Sequence, residues 1–126
     1  MHRPPLVMVV EDDVEMNELQ QELLAIHGLG SLPAYDGQQA VEICQSCDAV
    51  LLDLMMPKID GFEACRRIRE ACCPHTPIII VTALDNEECR KQGFEVGADA
   101  YFSKPFDPDE VIGTLQRLLE EAGNKD

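Results

Sequence analysis

The sequence predicts an α/β fold: a doubly wound, five-stranded parallel sheet in the order 2-1-3-4-5, covered on both faces by five helices. Short apolar runs, "LVMVV", "AVLL" and "IIIV", recur along the chain. They are too short for helices and apolar on both faces, as central strands of a parallel sheet must be. Amphipathic stretches separate them, so strand and helix alternate, which implies helices on both sides of one sheet. Finally, Pro33 lies within "SLPAY" and has no N–H for a ladder, so the second strand belongs at an edge. With right-handed crossovers, that edge position leads to 2-1-3-4-5.

Each element has its own signal. Leu6–Val10 is the first strand. The first helix carries Met16, Leu19, Leu23 and Ile26 on one expected buried face and stops at Gly28. Residues 31–35 form the second strand, Ala49–Leu52 the third, 78–81 the fourth and 100–102 the fifth. The later helices open with an Asp followed three residues on by Gln or Glu: Asp36/Gln39, Asp60/Glu63, Asp85/Glu88 and Asp107/Glu110. This resembles a capping box with Asp in the Ser/Thr place. Pro108 at a first helical position supports the last of them. That helix is expected to bury Val111, Ile112, Leu115, Leu118 and Leu119 and to end near Gly123.

Composition bounds the function. A chain of 126 residues is expected to be one domain, with a core from about residue 5 to 122 and no effector domain. A formal charge of −14 disfavours direct binding to nucleic acid or to an anionic membrane. No apolar run approaches the roughly 20 residues of a membrane span, and "MHRPP" lacks the apolar segment of a secretory signal. The expected location is cytoplasmic. Of the six cysteines, Cys44 and Cys47 have zinc-like spacing in "CQSC", with Cys72-Cys73 as an imaginable second pair. A zinc site usually sets two clean pairs on tight turns, whereas Cys44 and Cys65 fall in helical patterns, so free thiols are expected. His2, His27 and His75 fit no catalytic or metal spacing.

In such sheets ligands bind beyond the carboxyl ends of the strands, at the switch point between strands one and three. Strand one leads into Glu11, Asp12 and Asp13, strand three into Asp53, strand four into Thr82 and Ala83, and strand five into Ser103 and Lys104. Asp53 follows "AVLL" directly, and a carboxylate next to a core run is costly unless its charge is compensated. Crowded carboxylates call for a cation, and hard oxygen ligands with room for water suit Mg²⁺. A carboxylate can also act as a nucleophile and form an aspartyl-phosphate. Phosphoryl transfer then asks for position and positive charge, which Mg²⁺ and Lys104 can supply while Thr82 and backbone N–H groups donate hydrogen bonds.

The segments "VVEDD", "LLDLMMPKIDG", "IIIVTA" and "YFSKPF" occur in that order, and together they resemble a response-regulator receiver domain, the family that includes the bacterial chemotaxis regulator. The resemblance covers the whole chain and implies a flavodoxin-like sheet with a phosphoacceptor at Asp53. It implies Mg²⁺, or Mn²⁺ in its place, held by Asp12, Asp53 and the Met55 carbonyl, with Glu11 reaching it through water. It implies phosphate contacts from Thr82, the Ala83 N–H and Lys104, a switch aromatic at Tyr101, and a cis Lys104-Pro105 bond. Implied partners are a sensor histidine kinase or a histidine phosphotransfer domain as donor. The output would go through the face of the fourth helix, fifth strand and fifth helix. The acidic pair is either Glu11/Asp12 or Asp12/Asp13. The stretch "VEDDVEMNELQ" resembles members in which Asp13 only begins the first helix. Two rivals are weaker. An aspartyl-nucleophile phosphatase places a second Asp two residues after the first, where this chain has Met55, which cannot transfer a proton. A receiver-like module that is never phosphorylated would be expected to lack an acid or the lysine, and none is missing.

Overall fold

The computed structural model describes residues 3–72 and 74–123; the expectations for His2 and Cys73 lie outside them. Strands β1 (Leu6–Val10), β2 (Gly30–Ala34), β3 (Ala49–Leu52), β4 (Ile78–Thr82) and β5 (Ala100–Ser103) alternate with helices α1 (Val14–Ile26), α2 (Gly37–Ile43), α3 (Gly61–Ala71), α4 (Glu87–Glu95) and α5 (Pro108–Gly123). All strand pairs are parallel and the order is β2-β1-β3-β4-β5. Pro33 sits on the edge strand, where its missing N–H costs no ladder bond.

The two faces of the sheet bury separate clusters. Met8, Val10, Val50, Leu52, Ile78 and Ile80 pack with α2 and α3. Val7, Val9, Leu51, Ile79 and Val81 pack with Leu24 of α1 and Val111, Ile112 and Leu115 of α5. Because period two sends neighbours to opposite faces, each central strand feeds both clusters. Each fully buried aliphatic contributes about 1.5–3 kcal/mol. Leu118 and Leu119, expected in the core, are only partly buried at its border.

Four local expectations are corrected. On α1, Leu19 is 56% and Ile26 78% exposed, while the inward face is Asn17, Gln20 and Leu24. The cap of α4 is Asn86, whose side chain accepts from the Cys89 N–H at 2.8 Å. Asp85 lies one residue outside the cap, since the helix begins at Glu87. Asp60 caps α3 through the Phe62 N–H, but Glu63 turns outward to Arg66 and Arg67, so the reciprocal half of the box is absent there. Helix α2 ends at Ile43, and Cys44–Ser46 form a single 3₁₀ turn rather than helix interior.

Candidate functional site at the carboxyl end of the sheet

The ends of β1 and β3 are tied side by side. The Asp53 N–H donates to the Val10 carbonyl at 3.0 Å, and the Glu11 N–H donates to Ala34 at the end of β2 at 3.0 Å. Carboxylate oxygens of Glu11, Asp12 and Asp53 consequently all lie within 4.8 Å of one another. Glu11 and Asp53 are buried and Asp12 is exposed, so the group opens to solvent on one side. Asp13 is spent elsewhere: it caps α1, accepting from the Met16 N–H at 3.2 Å.

The Lys104 N–H donates to the Thr82 carbonyl at 2.7 Å just past paired strands β4 and β5, which aims Lys104 at the acids. Its Nζ donates to Glu11 Oε1 at 2.5 Å and to Asp53 Oδ2 at 3.1 Å. The other Asp53 oxygen accepts from the Met55 N–H at 3.0 Å. Compensation of the Asp53 charge is therefore visible: one ammonium and one backbone donor. Burial pushes the Glu11 carboxyl above its ordinary range; the Lys104 and Asp13 N–H hydrogen bonds oppose this, and the Asp53 charge adds to it. Burial works against the Lys104 ammonium, yet the Glu11 hydrogen bond and the Asp53 and Glu11 charges outweigh it and hold its pKa above the usual lysine value.

Thr82 is fully buried, and its hydroxyl oxygen accepts from the Leu84 N–H at 3.4 Å. Ala83 is exposed on the same loop. The Lys104-Pro105 peptide is cis. Tyr101 is buried beneath the loop, its hydroxyl donating to the Leu84 carbonyl at 2.7 Å. Arg90 of α4 stacks 5.0 Å from its ring centroid and donates to its carbonyl at 3.0 Å. The loop after β3 needs Gly61, where a Cβ would stand 2.4 Å from the Leu54 Cα.

Sequence reasoning missed Asn17. It is fully buried, and its amide nitrogen lies 3.1 Å from the Val9, 3.0 Å from the Glu11 and 3.3 Å from the Ala34 carbonyl oxygens. It thereby clips the backbone of the acidic loop to β1 and β2. Its only sequence signal is a polar residue one turn after "EDD".

The donor set is all hard oxygen with an open side, which fits a small divalent cation such as Mg²⁺. A lone ammonium leaves three clustered carboxylates with net negative charge, and a divalent ion would neutralise it.

A family model for the response regulator receiver domain matches residues 7–116. The chain belongs to the response-regulator receiver family. As a receiver of the two-component type it is a signalling domain. It is 37% identical over 117 residues to the transcriptional regulatory protein CpxR of Escherichia coli, covering 92% of this chain and 50% of the relative. Identity to the transcriptional regulatory protein ResD of Bacillus subtilis is 41% over 118 residues, covering 92% and 48%. The chain thus spans about half the length of these curated relatives. Among solved structures, the receiver domain of the Pseudomonas aeruginosa sensor histidine kinase PA1611, with a magnesium ion coordinated in its active site cleft, is 30% identical. It aligns with TM-score 0.83 over 93% of this chain and 98% of that one. The BeF3-activated DrrB receiver domain is 32% identical with TM-score 0.85 over 93% and 98%. Among the described residues no helix is long and apolar enough to cross a membrane.

Proposed function

We propose that this receiver takes a phosphoryl group from a phosphohistidine onto Asp53 and relays the change to a partner at the face of α4, β5 and α5. The observation that carries the proposal is the convergence of Glu11, Asp12 and Asp53 within 4.8 Å, with Lys104 bonded to two of them. An Asp53 oxygen attacks phosphorus in line with the P–N bond; that bond breaks, and the imidazole nitrogen leaves with its electron pair and takes a proton. The Met55 N–H and Lys104 hold the carboxylate for attack. Lys104 can then move from Asp53 Oδ2 to an equatorial phosphoryl oxygen, where its positive charge stabilises the transfer. Asp12, Asp53 and the Met55 carbonyl would hold Mg²⁺, with Glu11 behind a water. When bound, the ion supplies charge neutralisation between carboxylate and phosphoryl oxygens.

Thr82 and the Ala83 N–H are the further donors available to the phosphoryl group. Turning the Thr82 hydroxyl toward phosphate withdraws it from the Leu84 N–H, and Leu84 also holds the Tyr101 hydroxyl. The phosphate is thus coupled to Tyr101 through one short loop, a local charge event with a readout on the α4 side. The donor in this reading is a sensor kinase or histidine phosphotransfer domain. Any DNA-directed output would be exerted by another domain or partner, since this chain carries a charge of −14.

The test is incubation with a small phosphodonor such as acetyl phosphate and Mg²⁺, followed by intact-mass measurement. A one-phosphoryl gain by the wild type and none by Asp53→Asn is expected. An equal gain by both variants overturns the assignment.

A further inference from the structure

Tyr101 is fixed at three points, and two of them are supplied by one exposed side chain. Its strand, β5, is the edge strand next to β4, and the outward carbonyls of an edge have no strand partner. The Tyr101 carbonyl takes its donor from α4 instead, Arg90 Nη1 at 3.0 Å. The same guanidinium stands 5.0 Å from the centroid of the Tyr101 ring, within the range of a cation–π contact. The third point is the hydroxyl, which donates to the Leu84 carbonyl at 2.7 Å. Gly93, one turn after Arg90 and on the same side of α4, lets the helix come this close. A Cβ there would stand 2.9 Å from Ile80 Cδ1 and 3.1 Å from Tyr101 Cδ2. Tyr101 is thus buried, whereas Arg90 is exposed.

We propose that Arg90 is a positioning residue: from α4 it holds the Tyr101 side chain in its inward place and thereby favours the phosphoryl-bound form of the domain. The second half rests on the reading of Asp53 as phosphoacceptor. Turning the Thr82 hydroxyl toward a phosphoryl group empties room beside Leu84. Packed interiors do not tolerate a void of that kind, and the inward Tyr101 side chain already lies against this loop. A ring that swings out would enlarge the gap. What holds the ring in therefore lowers the cost of the bound state, and by linkage a bound phosphoryl group holds the ring in.

Arginine suits this task better than the other basic side chain. Its planar fork lies over a ring and still presents an N–H to a carbonyl, which the compact ammonium of lysine cannot do from one position. Because the guanidinium is exposed, whatever occupies the outer side of α4 meets the group that holds Tyr101. Occupancy of that side and the place of the ring are therefore linked through Arg90 as well as through the Leu84 loop.

The experiment reads Tyr101 by its own fluorescence in a Tyr35→Phe background, since the chain has two tyrosines and no tryptophan. Without metal or ligand, Arg90→Met should raise acrylamide quenching of Tyr101 by about twofold. Arg90→Lys should give an intermediate value, and Lys91→Met, beside it on α4, should change nothing. With Mg²⁺ and beryllofluoride as the phosphoryl analogue, Arg90→Met should weaken binding measured by calorimetry about threefold to tenfold. In a Tyr101→Ala background the same substitution should leave that affinity unaltered, which a merely structural arginine would not do. Quenching unchanged by Arg90→Met overturns the proposal. So does an affinity that is unchanged, or one that falls as much without the Tyr101 side chain. A wild type that binds no beryllofluoride counts against the Asp53 reading, and the quenching comparison then decides the place of Arg90 by itself.

Discussion

Replacing Asn17 by alanine separates the scaffold of the acidic loop from its chemistry. The side chain is fully buried, and its two N–H protons serve the Val9, Glu11 and Ala34 carbonyls, while its oxygen accepts from Gln21 Nε2 at 2.8 Å. In the variant the Ala34 carbonyl keeps the Glu11 N–H. The Glu11 carbonyl, on a residue only 3% exposed, loses its donor. A buried carbonyl left without a partner costs about 1–3 kcal/mol, and the remaining lost bonds bring the total to about 2–4 kcal/mol. With a urea slope of about 2 kcal/mol/M, the unfolding midpoint should fall by roughly 1–2 M. Because the same backbone carries Glu11 and Asp12, Mg²⁺ affinity measured calorimetrically on fully folded protein should fall by about tenfold. A lower midpoint with unchanged Mg²⁺ affinity would show Asn17 to be a core hydrogen bonder only. An unchanged midpoint would refute the energetic reasoning altogether.

The side chains two positions after Asp53 and Thr82 are Met55 and Leu84, neither able to orient a hydrolytic water. The phosphorylated protein should therefore lose its label slowly in a chase with Mg²⁺, Leu84→Glu should hasten the loss, and complete loss within seconds from the wild type would contradict this. Tyr101→Phe removes the hydroxyl bond to the Leu84 carbonyl and should cost about 1 kcal/mol in a urea melt. Tyr101→Ala should keep Asp53 labelling but uncouple it from partner binding, and loss of labelling would count against that division of roles. The thiols of Cys47 and Cys65 are pushed up to about 11 and that of Cys72 to about 12, chiefly by burial. Above about pH 9 the unfolded chain sheds these protons while the native state keeps them, so stability should fall as pH rises from there toward 11. A urea midpoint that is flat across that window would sink the claim.

The strands were legible because a central parallel strand is buried on both sides, so "LVMVV" and "IIIV" announce themselves without periodicity. Strand order followed from Pro33 for an equally local reason. Helix α1 was misread because its inner surface does not meet only side chains. It lies over the carbonyls at the ends of β1 and β2, which need donors, so the inward position is Asn17 and apolar Leu19 and Ile26 are left outside. A count of apolar spacing cannot see a demand made by backbone atoms distant in sequence. At α4, Asp85 and Asn86 are both good caps by chemistry, and local residue type does not tell which of the two adjoins the first helical residue, Glu87. The carboxylate cluster was legible as strand-end residues, but the choice between Asp12/Asp13 and Glu11/Asp12 turns on Asp13 being consumed as a cap.

That consumption has a physical consequence at the site. An Asp at a helix N-terminus already has partners in the backbone N–H and the helix dipole, so it offers little to a cation. Glu11 is the opposite: burial raises its carboxyl pKa, and the Lys104 hydrogen bond opposes that rise. One ammonium bridges Glu11 and Asp53, and removal of Lys104 would leave both buried carboxyl groups without their cation, at a cost of about 3–5 kcal/mol. Lys104 therefore has a structural task of its own, and in the proposed transfer another cation would have to relieve it of that task. The proposed divalent ion would do so, and this electrostatic argument supports that proposal independently of any resemblance to other chains.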